Sequence, residues 1–386
     1  MTAPGAAPDL RYSDTEEELR SAVRALLAAR CTPASVLARA EGGRPHDPAL
    51  WQTLAAGIGT AGLLVPEELG GQGAGPREAA VVLEELGRAA APAPYLAHAV
   101  LSAVVLLHCD PAAAAPHLAE LAAGRRVYVP ALPLTQAPGA PLPPPVRDTG
   151  SGTLTGRATS IADAVAADVL LVLADTGLYA VEASGVRLTA RTPLDLTRPL
   201  ADADLRQAAA TRLAGPETGR AAVQRALLCG AGLLASEQVG IAEWCLDRTV
   251  AYLRTRHQFN RPVGSFQAVK HRLARLWLDT AAARAAARAA ADALAADAPD
   301  APLTVAVAQA YCSGVAVRAA EECVQLHGGI GMTWEHPAHL YLKRAKADSL
   351  ALGTAGHHHT AVADLADLPA PGPAPAPRGP VPILGP

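Results

Sequence analysis

One stretch limits the possible folds more than any other. Residues 251–271, AYLRTRHQFNRPVGSFQAVKH, lie about two-thirds of the way along the chain and read as a tight connection between two long helices. Arg254 and Arg256 bracket the last turn of the first helix. Phe259 and Asn260 leave it, Pro262 cannot continue it, Gly264 supplies the turn, and Ser265 is placed to cap the second helix. That helix then carries Phe266, Val269, Leu273, Leu276 and Trp277 at helical spacing, with Lys270, His271, Arg272 and Arg275 on its other faces. Read alone, this is a helical hairpin with basic residues in solvent.

At 386 residues the chain is long enough for two or three domains with buried cores. Half of its residues are apolar, but they are spread through Ala-rich amphipathic stretches, so no membrane span of ~20 uncharged apolar residues is expected. The start, MTAPGAAPDLRYSDTEEEL, lacks a basic segment followed by an apolar one, which predicts a cytoplasmic protein. A net charge of −3 and 3% aromatic residues give neither the cationic surface nor the stacking platforms that nucleic acid requires. The six cysteines, Cys31, Cys109, Cys229, Cys245, Cys312 and Cys323, form no CxxC or metal-ligand spacing and read as reduced, buried thiols.

Along the chain the texture changes twice. Ser13 and Glu16 fit a capping box ahead of Leu19, Val23, Leu26 and Leu27, and Asp47-Pro48 opens a second helix with Trp51 and Leu54 on its buried side. A loop, GTAGLLVPEELGGQGAG (59–75), precedes a helix through Val81, Leu83, Leu86 and Gly87, and Ala-rich helices continue to about Gly124. Between Val127 and Ala214 short β-branched or Leu runs alternate with turn clusters: 127–129, 153–155, 169–173, 178–181 and 186–189. From Pro216 long helices return, and Arg284, Arg288 and Asp292 mark a solvated face. Pro, Gly and Ala dominate from Pro369 onward, a composition that predicts disorder. The expected division is an N-terminal helical domain (1–125), a middle β-domain (126–215), a C-terminal four-helix bundle (216–366) and a Pro-rich tail (367–386).

The hairpin pattern Arg-x-x-Phe-x-x-Pro-x-Gly-Ser-Phe-Gln-Ala-x-Lys-His resembles the signature hairpin of the acyl-CoA dehydrogenase family. A second segment, QLHGGIGMTWEHP (325–337), resembles that family's other C-terminal signature, and the 59–75 loop with its subsequent Glu-Glu-Leu-Gly helix resembles the N-terminal segment. The resemblance covers roughly residues 13–365 and implies the acyl-CoA dehydrogenase fold, an α+β multidomain architecture. It also implies FAD held extended, with its dinucleotide end crossing to a neighbouring subunit. Arg256 would grip the pyrophosphate, a charge-assisted bond worth roughly 1.5–3 kcal/mol. Phe259 would pack near the adenine or ribose, Gln267 and Gln325 would contact the cofactor, Gly328 and Gly329 would let backbone come close, and Thr354 falls at another FAD contact.

The departures from the family pattern bear most on function. The glutamate that usually precedes the C-terminal Gly-Thr, and that takes the α-proton, is here Leu352. The alternative glutamate position on the earlier helix is Gly230, the nearby CoA-holding arginine is Ala231, and an accompanying aspartate is Leu228. A positioned general base contributes about 10²–10⁴ in rate, so its loss is decisive. The flavin-facing loop is reduced to Thr135-Gln136-Ala137-Pro138-Gly139 with a Pro141–Pro145 run, and Thr159-Ser160-Ile161 replaces the segment that covers the flavin. Asp348, one helical turn before Leu352, is the candidate substitute base, with Glu237 and Glu243 further off; each also fits a solvated or ion-paired carboxylate. His357-His358-His359 reads as a surface cluster, since adjacent helical side chains diverge. The resemblance thus implies a base-lacking subunit that desaturates an acyl-CoA thioester together with a second acyl-CoA dehydrogenase-like subunit and an electron-transfer acceptor. A flavin-dependent monooxygenase of the same fold, a non-catalytic scaffold, and a homo-oligomeric dehydrogenase with Asp348 as base are the alternatives.

Overall fold

A computed structural model describes residues 10–43, 46–142 and 146–369. Part of the Pro141–Pro145 run and nearly all of the Pro-rich tail therefore lie outside the described residues.

Helices α1 (Asp14–Arg30), α2 (Pro33–Glu41), α3 (Pro48–Gln52), α4 (Pro76–Arg88), α5 (Ala103–Leu107) and α6 (Pro111–Ala122) form the N-terminal part. Ser13 and Glu16 make the expected capping box, and Asp47 caps α3 with Pro48 in its first turn. α1 is fastened to α4 by charge as well as by apolar contact: Arg20 and Arg24 bond the buried Glu84 and Glu85 at 2.9 and 2.6 Å.

The middle of the chain folds as a seven-stranded sheet: β1 (Tyr128–Pro130), β2 (Val146–Asp148), β3 (Thr153–Ala162), β4 (Val169–Ala174), β5 (Gly177–Glu182), β6 (Arg187–Arg191) and β7 (Leu200–Ala214). The order β1-β4-β2-β3-β7-β5 closes on itself because β5 pairs with β4 as well as with β7, and β6 adds to β7. The five expected runs all became strands. The longest strand, β7, has no counterpart among them, because LADADLRQAAATRLA is Ala-rich and almost free of β-branched residues. Its alternation is carried by buried Ala201, Ala203 and Leu205 instead.

Helix α7 (Pro216–Thr255) runs the length of the molecule and packs against α4, α8 (Gln267–Ala295) and α9 (Ala301–His327). α10 (Ala338–Asp348) and α11 (Ala355–Leu365) pack on α9. α4 and α7 meet backbone to backbone: a Cβ on Gly87 would lie 2.1 Å from the Glu237 carbonyl oxygen, and one on Gly240 would lie 1.9 Å from that of Glu84. By length and composition α9 and its extension to Met332 pass as a membrane-spanning helix, contrary to the expectation from sequence. Its contacts with α7, α8, α10 and α11 make it a central helix of the bundle.

The connection between α7 and α8 differs from its expected form. β8 (His257–Gln258) and β9 (Arg261–Pro262) pair as a miniature hairpin whose two turn residues, Phe259 and Asn260, both have positive φ, at 53° and 58°. Gly264 lies in a second, 3-10 turn (Val263–Ser265) that leads into α8, and a Cβ there would lie 3.0 Å from the Leu253 carbonyl oxygen. Ser265 does not cap α8: the N-cap is Phe266, and the buried Ser265 hydroxyl has no partner. The face of Arg284, Arg288 and Asp292 is also not simply solvated. Arg284 bonds Glu243, Arg288 lies over the Tyr12 ring, and Asp292 pairs with Arg77 at 2.7 Å, so this face ties α8 to α7 and to the N-terminal helices.

Candidate functional site

The turn between α10 and α11 is held by its backbone. Leu352 has φ +52°, a left-handed conformation that a leucine adopts only under constraint, and Gly353 comes next at +104°. The Leu352 N–H donates to the Leu134 carbonyl at 2.8 Å, and His358 Nε2–H donates to the Leu352 carbonyl at 3.0 Å. Burial pushes the His358 imidazole down to about 4, against the opposing effect of the bond to the Leu352 carbonyl. His358 is thus part of the buried frame, while His357 bonds the Pro138 carbonyl at 3.1 Å; the surface-cluster expectation is corrected for these two residues. Thr354 caps α11 by accepting the His357 N–H at 3.3 Å.

The two positions at which the family pattern would place a base adjoin each other. Leu352 is 1% exposed, and a Cβ on Gly230 would lie 3.2 Å from Leu352 Cδ1 and 2.5 Å from Leu101 Cδ2. Leu101 and Leu352 therefore close over Gly230, any side chain added there must displace one of these leucine ends, and no carboxylate belongs to this contact. Leu101 gave no signal in the sequence. Below this plug a cavity of about 860 Å³ runs between α7, α9 and α11, with Leu228, Val305, Ala306 and Ala361 in its wall and Pro138-Gly139 at one side. The Gln224 side chain holds that loop, accepting from the Gly139 N–H at 2.7 Å and donating to the Ala140 carbonyl at 2.8 Å.

Asp348 points away from the plug into a buried ionic cluster. Arg198, on the linker between β6 and β7, donates to Asp348 at 2.5 Å and to both Glu237 oxygens at 2.8 Å. Arg344 donates to Glu237 at 2.6 Å, to Asp195 at 3.2 Å and to the Thr197 hydroxyl at 2.7 Å. Burial works against the Glu237 charge, but Arg198 and Arg344 outweigh it and hold that carboxyl below its usual range. For Asp348, burial and then the neighbouring Glu237 charge push the carboxyl up to about 8. Glu243 lies outside the cluster, bonded to Arg284 and Arg88. Helical spacing put Asp348 on the face of Leu352 as a candidate base; instead its carboxyl meets Arg198, an arginine 150 residues away with which nothing in the sequence paired it.

At the other end of α7 the hairpin residues are open. Arg256 comes directly after the helix, is exposed, and its guanidinium has no partner among the described residues. Phe259 is 86% exposed and meets Phe266 edge-on at 6.0 Å, while Gln267 opens α8 on the surface. Tyr252 stacks on His327 at 4.5 Å, which brings the second motif to the same end. There Gln325 is exposed, Gly328 has φ +64°, and a Cβ on Gly328 or Gly329 would meet nothing within 4 Å. The arrangement suits a dinucleotide approaching from outside: a free guanidinium for phosphate, an exposed ring for a base, and bare backbone. Thr354 is not among these residues. It lies near Gly230, about 26 residues before Arg256 along α7, or about 39 Å at 1.5 Å per residue.

An N-terminal helical part, a closed middle sheet and a C-terminal helical bundle, in that order, are the fold of acyl-CoA dehydrogenase-like proteins. The chain belongs to the acyl-CoA dehydrogenase family: its N-terminal domain profile matches residues 13–125 and its C-terminal domain profile residues 217–365. Among its relatives, acyl-CoA dehydrogenase IpdE2 of Mycobacterium tuberculosis is 37% identical over 341 residues, 88% of this chain and 93% of that one. A chain of the ChsE4-ChsE5 complex from Mycobacterium tuberculosis superposes with a TM-score of 0.81 at 30% identity, covering 94% of this chain and 100% of that one. A chain of the Tcur3481-Tcur3483 steroid ACAD, a G363A variant, superposes with a TM-score of 0.80 at 28% identity, covering 92% and 98%.

Proposed function

We propose that this chain is the base-lacking subunit of a cytoplasmic, hetero-oligomeric, FAD-dependent acyl-CoA dehydrogenase. The observation that carries the reading is the Leu101–Leu352 contact over Gly230: both positions for a proton-abstracting glutamate are apolar and packed shut. Leucine takes no proton, and Asp348 is sealed against Arg198, so the carboxylate for the α-carbon comes from a different chain. Arg256, Gln267 and Gln325 would hold FAD, whose chemistry would be to take up the hydride from the β-carbon so that a 2,3-enoyl thioester is the product.

This chain's own part is to bind and orient. Arg256 neutralises pyrophosphate, Gln325 and Gln267 offer amide groups, and the Gly328-Gly329 backbone admits close approach. These residues and Thr354 stand about 39 Å apart along α7, so one chain cannot close both sets on the same end of a dinucleotide. A neighbouring subunit therefore completes each site. Support also comes from the two-component ChsE4-ChsE5 and Tcur3481-Tcur3483 neighbours, the second of which is described as a steroid enzyme, pointing to a bulky acyl group.

The test is to express the chain alone and together with the product of an adjacent acyl-CoA dehydrogenase-like gene, measuring bound flavin and acyl-CoA oxidation with an artificial electron acceptor. Activity confined to the co-expressed pair is expected. Oxidation by the chain alone would end the proposal, and a colourless, inactive pair would point to a scaffold.

A further inference from the structure

The buried cluster behind the Leu352 turn holds an odd number of carboxylates. Arg198 and Arg344 are balanced by Glu237 and Asp195, which leaves Asp348 as a third acid in a site with two cations. The other charged groups facing the cluster do not supply a third cation to Asp348. Asp163, whose charge reaches Arg198, is engaged by His46 Nε2 at 2.9 Å, and Lys343 acts on Asp195. Asp348 is 0% exposed, so water does not screen it.

Two orphaned atoms lie beside this excess charge. Asp348 Oδ2 and Gln238 Oε1 are both buried acceptors without a donor. Their residues are neighbours, because Gln238 Nε2 donates to the Asp348 backbone carbonyl at 3.3 Å. The same nitrogen donates to Gln309 Oε1 at 3.3 Å, so turning the amide over would forfeit both bonds. A single proton on Oδ2 removes the excess charge and gives both acceptors their missing partner.

We infer that Asp348 is held as a neutral carboxylic acid donating from Oδ2 to Gln238 Oε1, and that this proton locks the end of α10, and with it the turn carrying Leu352 and Thr354, onto α7. Asp348 closes α10, four residues before Leu352, so the lock acts at the base of that turn. Ionising Asp348 sets an unbalanced charge against Glu237 and leaves two buried oxygen acceptors without a donor. Asp348 is thus a positioning residue, and the inference holds whether or not the turn meets a flavin.

The test uses the full chain and Asp348→Asn, whose amide reproduces the neutral acid: its oxygen accepts from Arg198 and its N–H donates to Gln238. The folded-state carboxyl is raised above that of the free side chain, so its contribution to stability is complete at acid pH and is lost as pH rises toward about 8. Relative to D348N, the unfolding equilibrium constant of the wild type should therefore rise about tenfold per pH unit between roughly pH 5 and 8 and then level off. Protection factors from hydrogen exchange, corrected for the intrinsic pH dependence of amide exchange, should fall above that pH in peptides covering residues 349–354 of the wild type and stay constant in D348N. In wild-type protein labelled with ¹³C at the aspartate carboxyl, a carboxylic-acid C=O band at pH 7 should be present, and absent from D348N. A pH-independent deficit of D348N, failure of D348N to fold, or absence of that band would show Asp348 to be an ionised salt-bridge partner and overturn the inference.

Discussion

Replacing Gly230 by alanine tests whether the substrate-side pocket is shut. Two effects of opposite sign meet at this position. Gly230 lies inside the 40-residue α7, where alanine is favoured over glycine by about 1 kcal/mol. Against that, the new methyl group would sit 2.5 Å from Leu101 Cδ2 and 3.2 Å from Leu352 Cδ1. Overpacking of this kind costs typically 1–3 kcal/mol. Leu352 cannot swing aside freely, because its N–H and C=O are both bonded and its φ is already left-handed. The expected net is a destabilisation of up to about 2 kcal/mol, read as a lower urea midpoint at unchanged slope. In a Leu101→Ala background the 2.5 Å clash is gone, the 3.2 Å approach to Leu352 remains and so does the helix preference, so Gly230→Ala should there be neutral or stabilise by up to about 1 kcal/mol. The coupling in this double-mutant cycle is then about 1–3 kcal/mol. If Gly230→Ala stabilises the otherwise unaltered protein by the full helix increment, the hole is not filled by leucine and the pocket is open.

Three further outcomes are expected from the same geometry. Leu352→Glu should yield no acyl-CoA oxidation by this chain alone, and should lower the thermal midpoint by several degrees, because the new carboxylate enters a 1% exposed site lined by leucine; turnover by the single variant chain would show the pocket intact. Arg256→Ala should leave the melting temperature of the isolated chain unchanged, since the guanidinium has no partner to lose, yet weaken flavin retention by the assembled pair about 10- to 150-fold, as loss of a charge-assisted bond of roughly 1.5–3 kcal/mol implies. Gly87→Ala and Gly240→Ala should each cost more than about 3 kcal/mol or abolish folding, because the added atom meets backbone oxygen at 2.1 and 1.9 Å where no side chain can yield; circular dichroism of the two variants decides it.

The parts of the fold legible in the sequence were those written in local periodicity and capping. Ser13 with Glu16, Asp47 with Pro48, and the Leu and Val runs of β4 and β5 each state their conformation within a few residues. β7 was illegible because burial, not branching, makes its alanines a strand face. The α7–α8 connection misled for a related reason. Gly264 and Ser265 have the composition of a turn and a cap, but the positive-φ positions went to Phe259 and Asn260, and the glycine was needed for close approach to Leu253. At the candidate site the residues at the two positions where the family pattern would place a glutamate, Leu352 and Gly230, could be read directly. That the two positions touch, with Leu101 between them, is a property of packing between segments far apart in the sequence.

The asymmetry between the two ends of α7 is then more than a loss of catalytic residues. A pocket that had simply lost its glutamate would keep its volume at that point; here Leu101 and the strained Leu352 fill it, and Gly230 makes the fit possible. Strain in a buried leucine persists only where its surroundings impose it, and the surroundings are specific: bonds to Leu134 and His358 on the turn, and the ionic cluster at the end of α10. The opposite end carries no such reinforcement. Arg256 and Gln325 stand open beside Phe259, an aromatic ring 86% exposed to water, a cost that a covering molecule would remove. One end is built to stay closed and the other to be completed from outside, which is the division expected of a subunit that lends a cofactor surface to a neighbour and leaves proton abstraction to it.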